Sequence, residues 1–85
     1  MANYTVVLSK KAQKELDKLS DFIAGPIIKA ITLLEFSPRP NGFKKLKNRS
    51  GYRIRIGSYR VIYDVFDDKL IIEVITLGHR KDIYD

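Results

Sequence analysis

The sequence has no cysteine and only one histidine, His79, among its 85 residues. Without cysteine there can be no disulfide bond, thiolate catalysis or cysteine-ligated zinc, and one histidine rules out a multi-histidine metal site. No apolar run approaches the roughly 18 residues that a membrane span needs, and no signal-type segment opens the chain. We therefore expect a cytoplasmic protein that uses no metal, no cofactor and no membrane.

Acidic residues are missing from the middle of the chain. The segment from Phe36 to Tyr63 contains no Asp or Glu, yet it holds half of the 16 Lys and Arg residues. The net charge of the whole chain is +6. A concentrated field of one sign favours a polyanionic partner such as nucleic acid. The alternative is a basic surface that serves solubility. The basic residues of this segment are Arg39, Lys44, Lys45, Lys47, Arg49, Arg53, Arg55 and Arg60.

The chain length predicts a single domain that spans residues 1–85. A domain of this size buries roughly 60% of the surface of its unfolded chain. Such a small core leaves little room for an internal cofactor cavity, so we expect a functional site on the surface.

The first half of the chain predicts one strand and two helices. A short β-branched run, YTVVL at residues 4–8, is typical of a strand. Ser9 can then cap a helix whose apolar stripe recurs at spacings of four and three and which ends near residue 19 or 20. A second helix is expected to begin between Asp21 and Pro26. Its buried side is predicted to hold Ile23, Ile27, Ala30, Ile31 and Leu34.

The second half predicts three strands after a Pro-rich break, SPRPNG at residues 37–42. In the loop that follows, Phe43 and Leu46 are expected to dock on the core while the lysines point outward. Strands are expected at residues 52–56, 59–66 and 69–78, and the Gly57-Ser58 pair indicates a tight hairpin between the first two. The fold class is therefore α+β, with two helices on one face of a mainly antiparallel four-stranded sheet in the order β-α-α-β-β-β.

The predicted hairpin gathers arginines on one face. A two-residue turn pairs Ile56 with Tyr59 and sets Arg55 opposite Arg60. Because side chains alternate across a strand, Arg53 projects from the same face as these two arginines. Like charges directly opposite each other cost about 0.2–1 kcal/mol, so the cluster indicates a site for an anion rather than a device for stability. The alternative is a solubilising face that Asp64 or Glu73 neutralises.

Two segments together resemble the RelE/ParE superfamily of small bacterial and archaeal toxins. They are YRIRIGSYRVIYDV and IIEVITLGHRKDIY, and they follow a strand and two helices in the expected order. The resemblance covers essentially the whole chain and is closer to the RelE-type ribonucleases. It implies cleavage of messenger RNA in the ribosomal decoding site and a neutralising antitoxin, with a toxin–antitoxin hetero-oligomer as the assembly.

Functional residues carry over from this resemblance one position at a time. Arg60 and Arg80 match phosphate-binding arginines, and Tyr84 matches a C-terminal tyrosine. Some RelE-type toxins have lysines where this chain has Arg53 and Arg55, and an arginine cannot serve as a base. His79 and Tyr84 are the two candidates for proton transfer. The predicted catalytic set is Arg53, Arg55, Arg60, His79, Arg80 and Tyr84, and the predicted outer RNA contacts are Lys44, Lys45, Lys47 and Arg49.

The implied reaction is metal-independent attack of a ribose 2′-hydroxyl on the adjacent phosphate. Two other interpretations share the fold. A ParE-type toxin would inhibit DNA gyrase through protein contacts, and a non-catalytic module would only bind RNA or the ribosome. The joint presence of four arginines and a tyrosine argues against the gyrase inhibitor, whereas charge and fold do not separate the enzyme from the binding module.

Overall fold

The structure, a computed structural model, describes residues 3–81 and contains one sheet with two helices. The strand order is β1-β5-β4-β3-β2, in which β1 is parallel to β5 and the other neighbours are antiparallel. The α+β prediction is confirmed, with one short strand, β2, beyond the four expected. The elements are β1 (Thr5–Leu8), α1 (Lys10–Asp17), α2 (Asp21–Leu33), β2 (Lys44–Lys45), β3 (Tyr52–Ile56), β4 (Tyr59–Phe66) and β5 (Ile71–His79).

Helix α1 begins after its predicted capping residue, α2 begins at Asp21 within the predicted range, and both pack their apolar stripes on the sheet. The Ser9 side chain accepts a hydrogen bond from the backbone N–H of Ala12, which starts α1. Pro26 lies inside α2 rather than in its first turn, on an exposed side of the helix where solvent can reach the backbone. The buried side of α2 consists of Ala24, Ile27 and Ile31, with Leu34 just beyond the helix. No helix in residues 3–81 is long and apolar enough to cross a membrane.

The hairpin of β3 and β4 has the register that its turn residues predict. Ile56 pairs with Tyr59 and Arg55 with Arg60. The alternate residues of both strands therefore face the helices, and they supply the centre of the core. That core combines Ala12, Ile27, Ile31, Leu34, Ile54, Val61, Tyr63, Ile72, Val74 and Leu77.

A bulge interrupts β5 where it meets α1. Ile62 pairs with Thr76 but Tyr63 pairs with Val74, so Ile75 is an extra residue on β5. The hydroxyl of Ser9 donates to the carbonyl of Ile75 over 2.7 Å. The start of α1 is thereby fixed to the bulge.

The side chain of Glu15 makes a second attachment of α1 to β5. Its carboxylate accepts hydrogen bonds from the hydroxyl of Thr76, at 2.8 and 3.1 Å, and from the backbone N–H of Leu77 at 3.1 Å. Since β1 pairs only with Ile71–Val74, the carboxylate covers part of the β5 edge that β1 leaves open.

A polar network closes the end of the sheet far from the Gly57-Ser58 turn, which we call the anchored end. Arg39 forms a salt bridge of 3.0 Å with Asp67, and its guanidinium carbon lies 5.1 Å from the centre of the Tyr52 ring. The hydroxyl of Tyr4 donates to the other oxygen of Asp67 at 2.6 Å. The hydroxyl of the buried Tyr63 donates to a backbone carbonyl of the Pro-rich loop at 2.7 Å. These contacts join the Pro-rich loop to the first and fourth strands.

The electrostatics of the anchored end follow from these contacts. Hydrogen bonds from Arg39 and Tyr4 hold the pKa of Asp67 below its ordinary value. The same bond to Asp67 raises the pKa of Arg39, which stays protonated. Burial raises the pKa of Tyr63 to about 12, because a phenolate would lose its hydration there.

Candidate active site

Three arginines meet at a small cavity beside the Gly57-Ser58 turn, which we call the arginine cavity. Its volume is about 60 Å³, roughly the liquid volume of two water molecules. A space of this size lined by guanidinium groups suits the oxygens of a phosphate group. The lining residues are Arg55, Gly57, Ser58, Tyr59, Arg60 and Arg80.

Each arginine reaches the cavity from a different element. The tight turn sets Arg55 on β3 opposite Arg60 on β4, and Gly57 at its first position has a φ of +61° that favours glycine. On the other side of β4, the residue opposite Arg60 is Gly78, which has no side chain to fill the space. The backbone N–H of Arg80 donates to the carbonyl of Ser58 at 2.8 Å. This bond holds the end of β5 against the turn.

Arg53 lies on the same face of the sheet but has a different environment. It is only 5% exposed, whereas Arg55 is exposed to solvent. Arg53 pairs with Lys44 on the edge strand β2 and with Ile62 on β4, and it does not line the arginine cavity. The structure therefore brings Arg53 to the predicted face but separates it from the other three arginines.

The predicted outer contacts divide into two groups. Lys44 and Lys45 form the exposed edge strand, and Lys47 is exposed in the following loop. Arg49, in the same loop, reaches a cleft between α1 and β5. Leu46 is buried as expected, but it packs with Ile62 in a second small apolar cluster outside the helix-covered core.

His79 faces away from the arginine cavity. It pairs with Tyr59, and the two rings meet edge to face with their centres 5.5 Å apart. Because side chains alternate along β4, Tyr59 and Arg60 project from opposite faces. His79 thus lies on the far side of β5 from the phosphate-sized cavity. Tyr84, the other predicted proton carrier, lies outside the described residues.

The arginine cavity has the chemistry of an oxyanion-binding site. A guanidinium offers several N–H donors in a rigid fork that matches phosphate oxygens, and it keeps its charge at any physiological pH. Three of them around one small space can bind a phosphodiester and stabilise the additional charge of its transition state. Within residues 3–81 there is no cluster of three or more His, Asp or Glu side chains that could hold a metal ion.

A sheet of this order with two helices on one face is the fold of the solved RelE toxins, and this chain is a toxin of a type II toxin–antitoxin system. The chain belongs to the ParE toxin family, described as the toxin of the type II parDE system, whose profile matches residues 6–84.

Proteins of known identity and structure agree with this assignment. The mRNA interferase toxin RelE of Escherichia coli is 30% identical over 80 residues, which cover 92% of this chain and 84% of that protein. Toxin RelG of Mycobacterium tuberculosis is 29% identical over 95% of both chains. The toxin in the archaeal RelE–RelB complex from Pyrococcus horikoshii superposes with a TM-score of 0.83, at 29% identity over 95% of this chain and 99% of that one.

Two features of the site were not predicted from the sequence. Gly78 leaves space opposite Arg60, and the carbonyl of Ser58 binds the amide of Arg80. A glycine directly before His-Arg at the end of a predicted strand is the one signal that could have been used, because strand glycines often mark a close approach. The hydrogen bond between Ser58 and Arg80 joins two backbone atoms, so no pattern of side chains in the sequence indicates it.

Proposed function

We propose that this toxin is an endoribonuclease that cleaves messenger RNA without a metal, in the manner named for its E. coli relative. The observation that carries the proposal is the convergence of Arg55, Arg60 and Arg80 on one cavity of phosphate size. A toxin that acted only through protein contacts would not need three guanidinium groups around so small a space.

The reaction proposed is a transesterification within the RNA strand. The 2′-hydroxyl loses its proton as its oxygen bonds to the adjacent phosphorus, and the bond from phosphorus to the 5′ oxygen breaks. The leaving oxygen takes up a proton, which leaves a 2′,3′-cyclic phosphate and a 5′-hydroxyl. Arg55, Arg60 and Arg80 stabilise the charge on the non-bridging oxygens. None of them can accept the proton, so we propose that Tyr84 or His79, the two candidates from the family resemblance, takes it.

The proposed partners follow from the family. Structural relatives were solved as complexes of RelE with the antitoxin RelB, and we propose that a cognate antitoxin binds and neutralises this toxin in a hetero-oligomer. The RNA is proposed to be cleaved in the ribosomal decoding site, which places the activity in the cytoplasm. The exposed Lys44, Lys45 and Lys47 would hold RNA phosphates outside the cavity, where such contacts position the strand without reading its sequence.

The test is cleavage of a programmed messenger on purified ribosomes, read out by primer extension and by mass spectrometry of the new ends. The wild-type toxin should give 5′-hydroxyl and cyclic phosphate ends. The variants Arg60→Ala and Tyr84→Ala should fold but lose the activity. Intact messenger with the wild-type protein, or undiminished cleavage by Arg60→Ala, would refute the assignment.

The family profile bears the name of ParE toxins, so inhibition of DNA gyrase is the second candidate. Both activities can be measured on one preparation, by adding a DNA supercoiling reaction to the ribosome assay. The nuclease predicts cleaved messenger and normal supercoiling, whereas a gyrase inhibitor gives the reverse. Intact messenger with tight ribosome binding would identify a non-catalytic binding module instead.

A further inference from the structure

The last part of β5 leads Arg80 to the arginine cavity. In the part of the chain that the structure describes, β4 pairs with β5 as far as His79, whereas β1 pairs with it only from Ile71 to Val74. Arg80 follows His79 directly and lines the cavity. Strand ends with few partners open more readily than the centre of a sheet. The position of Arg80 therefore depends on what holds β5 beyond Val74.

The carboxylate of Glu15, on α1, supplies a hydrogen-bond acceptor on the edge of β5 that β1 leaves open. Its Oε1 atom accepts hydrogen bonds both from the hydroxyl of Thr76 at 2.8 Å and from the backbone N–H of Leu77 at 3.1 Å. Leu77 is only 1% exposed, and a buried N–H that loses its acceptor is destabilising. Glu15 thus fixes β5 three residues before Arg80.

Two further contacts fix the segment on either side of this bond. Before it, the hydroxyl of Ser9 donates to the carbonyl of Ile75 at 2.7 Å. After it, the backbone N–H of Arg80 donates to the carbonyl of Ser58 at 2.8 Å. The end of β5 is therefore bonded to α1 at its start and to the hairpin turn at its finish. Ser9 also caps α1, so Glu15 is the contact that can be removed without disturbing the start of the helix.

We propose that Glu15 is a positioning residue for Arg80. It does not line the arginine cavity, and it acts by holding β5 where the guanidinium of Arg80 reaches the bound phosphate. A displacement of about 1 Å can slow an enzyme about 100-fold, so a loosened strand end slows cleavage although all the arginines are present. The effect on cleavage rests on the proposed nuclease function, whereas the effect on the position of Arg80 does not.

The hydrogen bonds of Glu15, rather than its charge, carry this role. Because one oxygen accepts both bonds, the single amide oxygen of a glutamine can accept them as well. A leucine has a similar reach but no acceptor. The variants Glu15→Gln and Glu15→Leu therefore separate the loss of the hydrogen bonds from the loss of the charge.

Messenger cleavage on purified ribosomes is the first measurement, under conditions where urea unfolding shows each variant to be fully folded. Glu15→Leu should lower kcat about tenfold, and Glu15→Gln should stay within about twofold of the wild type. The matched control is Gln13→Leu, which removes a bond from Gln13 to Asp17 within α1 and should leave kcat unchanged. Equal losses in Glu15→Gln and Glu15→Leu would overturn the proposal.

A milder variant keeps the test available if Glu15→Leu does not fold. Thr76→Val removes one of the two donors and preserves the shape of the side chain. It should lower kcat about threefold, because the bond from the backbone N–H of Leu77 to Glu15 remains. Unchanged cleavage by Thr76→Val would then overturn the proposal.

A double-mutant cycle separates positioning from a general loss of stability. In the background of Arg80→Ala there is no guanidinium to position, so the further change Glu15→Leu should slow cleavage by less than about twofold. A merely structural contact would instead give the same loss in both backgrounds, and that result would overturn the proposal.

Hydrogen exchange at the backbone amide of Arg80 tests the geometry without any cleavage. This amide is bonded to the carbonyl of Ser58, and it should exchange about tenfold faster in Glu15→Leu than in the wild type or in Glu15→Gln. The reference is the amide of Thr5, which is bonded to the carbonyl of Leu70 at the opposite end of the sheet and should not change. Equal acceleration at both amides would overturn the proposal, because the whole sheet would then have loosened.

The outcomes separate this inference from the proposed function. Faster exchange at Arg80 in Glu15→Leu, with no cleavage by the wild type, would support the role of Glu15 in placing Arg80 and refute the nuclease. Cleavage that depends on Arg60 but is as fast in Glu15→Leu as in the wild type would leave the nuclease intact and overturn the positioning role.

Discussion

Arginines lie at both ends of the β3–β4 hairpin, but in different surroundings. At the anchored end, Arg39 bonds to Asp67 and lies over the ring of Tyr52, so its charge is matched within the protein. At the turn end, Arg55, Arg60 and Arg80 share one cavity whose other lining residues are a glycine, a serine and a tyrosine. Both ends lie on the same two strands. Arg39 therefore stabilises the fold, whereas the arginines at the turn end are those that the proposed nuclease would use to bind its substrate.

The largest difference between the two ends is expected when Arg80→Ala is compared with Arg39→Ala. Arg80→Ala should slow cleavage about 100-fold, the usual loss when one group that stabilises an oxyanion is removed, with an unchanged urea midpoint. Arg39→Ala should cleave as the wild type does and lose about 0.5 kcal/mol of stability with its cation–π contact. Messenger cleavage and urea unfolding of both variants measure this. Equal loss of activity in the two variants would contradict the division of roles.

A methyl group at Gly51 should test how tightly the anchored side of the hairpin is packed. Gly51 has a φ of +115°, and an added Cβ would lie 2.7 Å from a carboxylate oxygen of Asp64 and 3.0 Å from the carbonyl of Tyr63. We expect Gly51→Ala to cost at least about 2 kcal/mol in urea unfolding, from backbone strain and overpacking together.

Gly42→Ala is the matched control for Gly51→Ala. Gly42 also has a positive φ, +87°, but an added Cβ there would meet nothing within 4 Å. The control should cost only about 1 kcal/mol, from strain alone. If the two variants were equally stable, the packing around Gly51 would be looser than the structure indicates.

Removing the hydroxyl of Tyr63 should have a smaller effect at the same end. Tyr63→Phe loses a buried hydrogen bond to the carbonyl of Pro38, which should cost about 1 kcal/mol. The folded pKa of about 12 exceeds the ordinary value of 10.0, so the unfolded state loses this proton first. Stability should therefore decline as pH rises from 10 to 12 in the wild type and decline less in the variant. Urea midpoints across this range measure both effects, and parallel curves would exclude a role for this phenol.

The smallest expected effect is the loss of stability at the anchored end when Asp67 is protonated at low pH. The pKa of Asp67 is lowered in the folded state, so its contribution to stability is complete above its ordinary value of 3.8 and is lost as pH falls through the lower folded value. Asp67→Asn should therefore be less stable than the wild type near neutral pH, and the difference should disappear as pH falls through the folded pKa of Asp67. Thermal unfolding across this range provides the measurement. A difference that persisted at low pH would show that the carboxylate charge is not responsible.

Sequence reasoning succeeds for the hairpin and for the position of the last strand, which was expected at residues 69–78 and runs from Ile71 to His79, but it does not show which way His79 faces. The pair Gly57-Ser58 dictates the register of β3 and β4, and alternation then assigns Arg55 and Arg60 to one face. The helix caps and stripes are equally local signals. The placement of His79 depends instead on where β5 shifts its register, and that point is fixed by a bond from Ser9 to Ile75, 66 positions away. A contact between residues so far apart in the chain produces no periodic pattern in the sequence from which it could be predicted.

Neither the burial of Arg53 nor the formation of strand β2 can be predicted from the local sequence. Alternation assigns Arg53 to the arginine face but does not say which residues will cover it. Lys44 and Lys45 pair with β3 although two charged residues have little preference for a strand. The pairing of β2 with β3 depends on the loop from Lys45 to Gly51, in which the backbone N–H of Leu46 donates to the carbonyl of Gly51 at 3.1 Å.

The extra residue in β5 also determines what stands across from Arg60. If the ladder ran unbroken from the pair of Tyr63 and Val74, it would set Leu77 against Arg60. Because Ile75 bulges out, the ladder moves by one position, and Gly78 takes that place while Leu77 pairs with Val61 in the core. One inserted residue, far from the turn, thus exchanges an isobutyl group for a hydrogen atom beside the guanidinium. If Ile75 paired within the ladder, Leu77 would lie opposite Arg60 and its side chain would fill the phosphate-sized space. The cavity would then be lost although no arginine had been replaced.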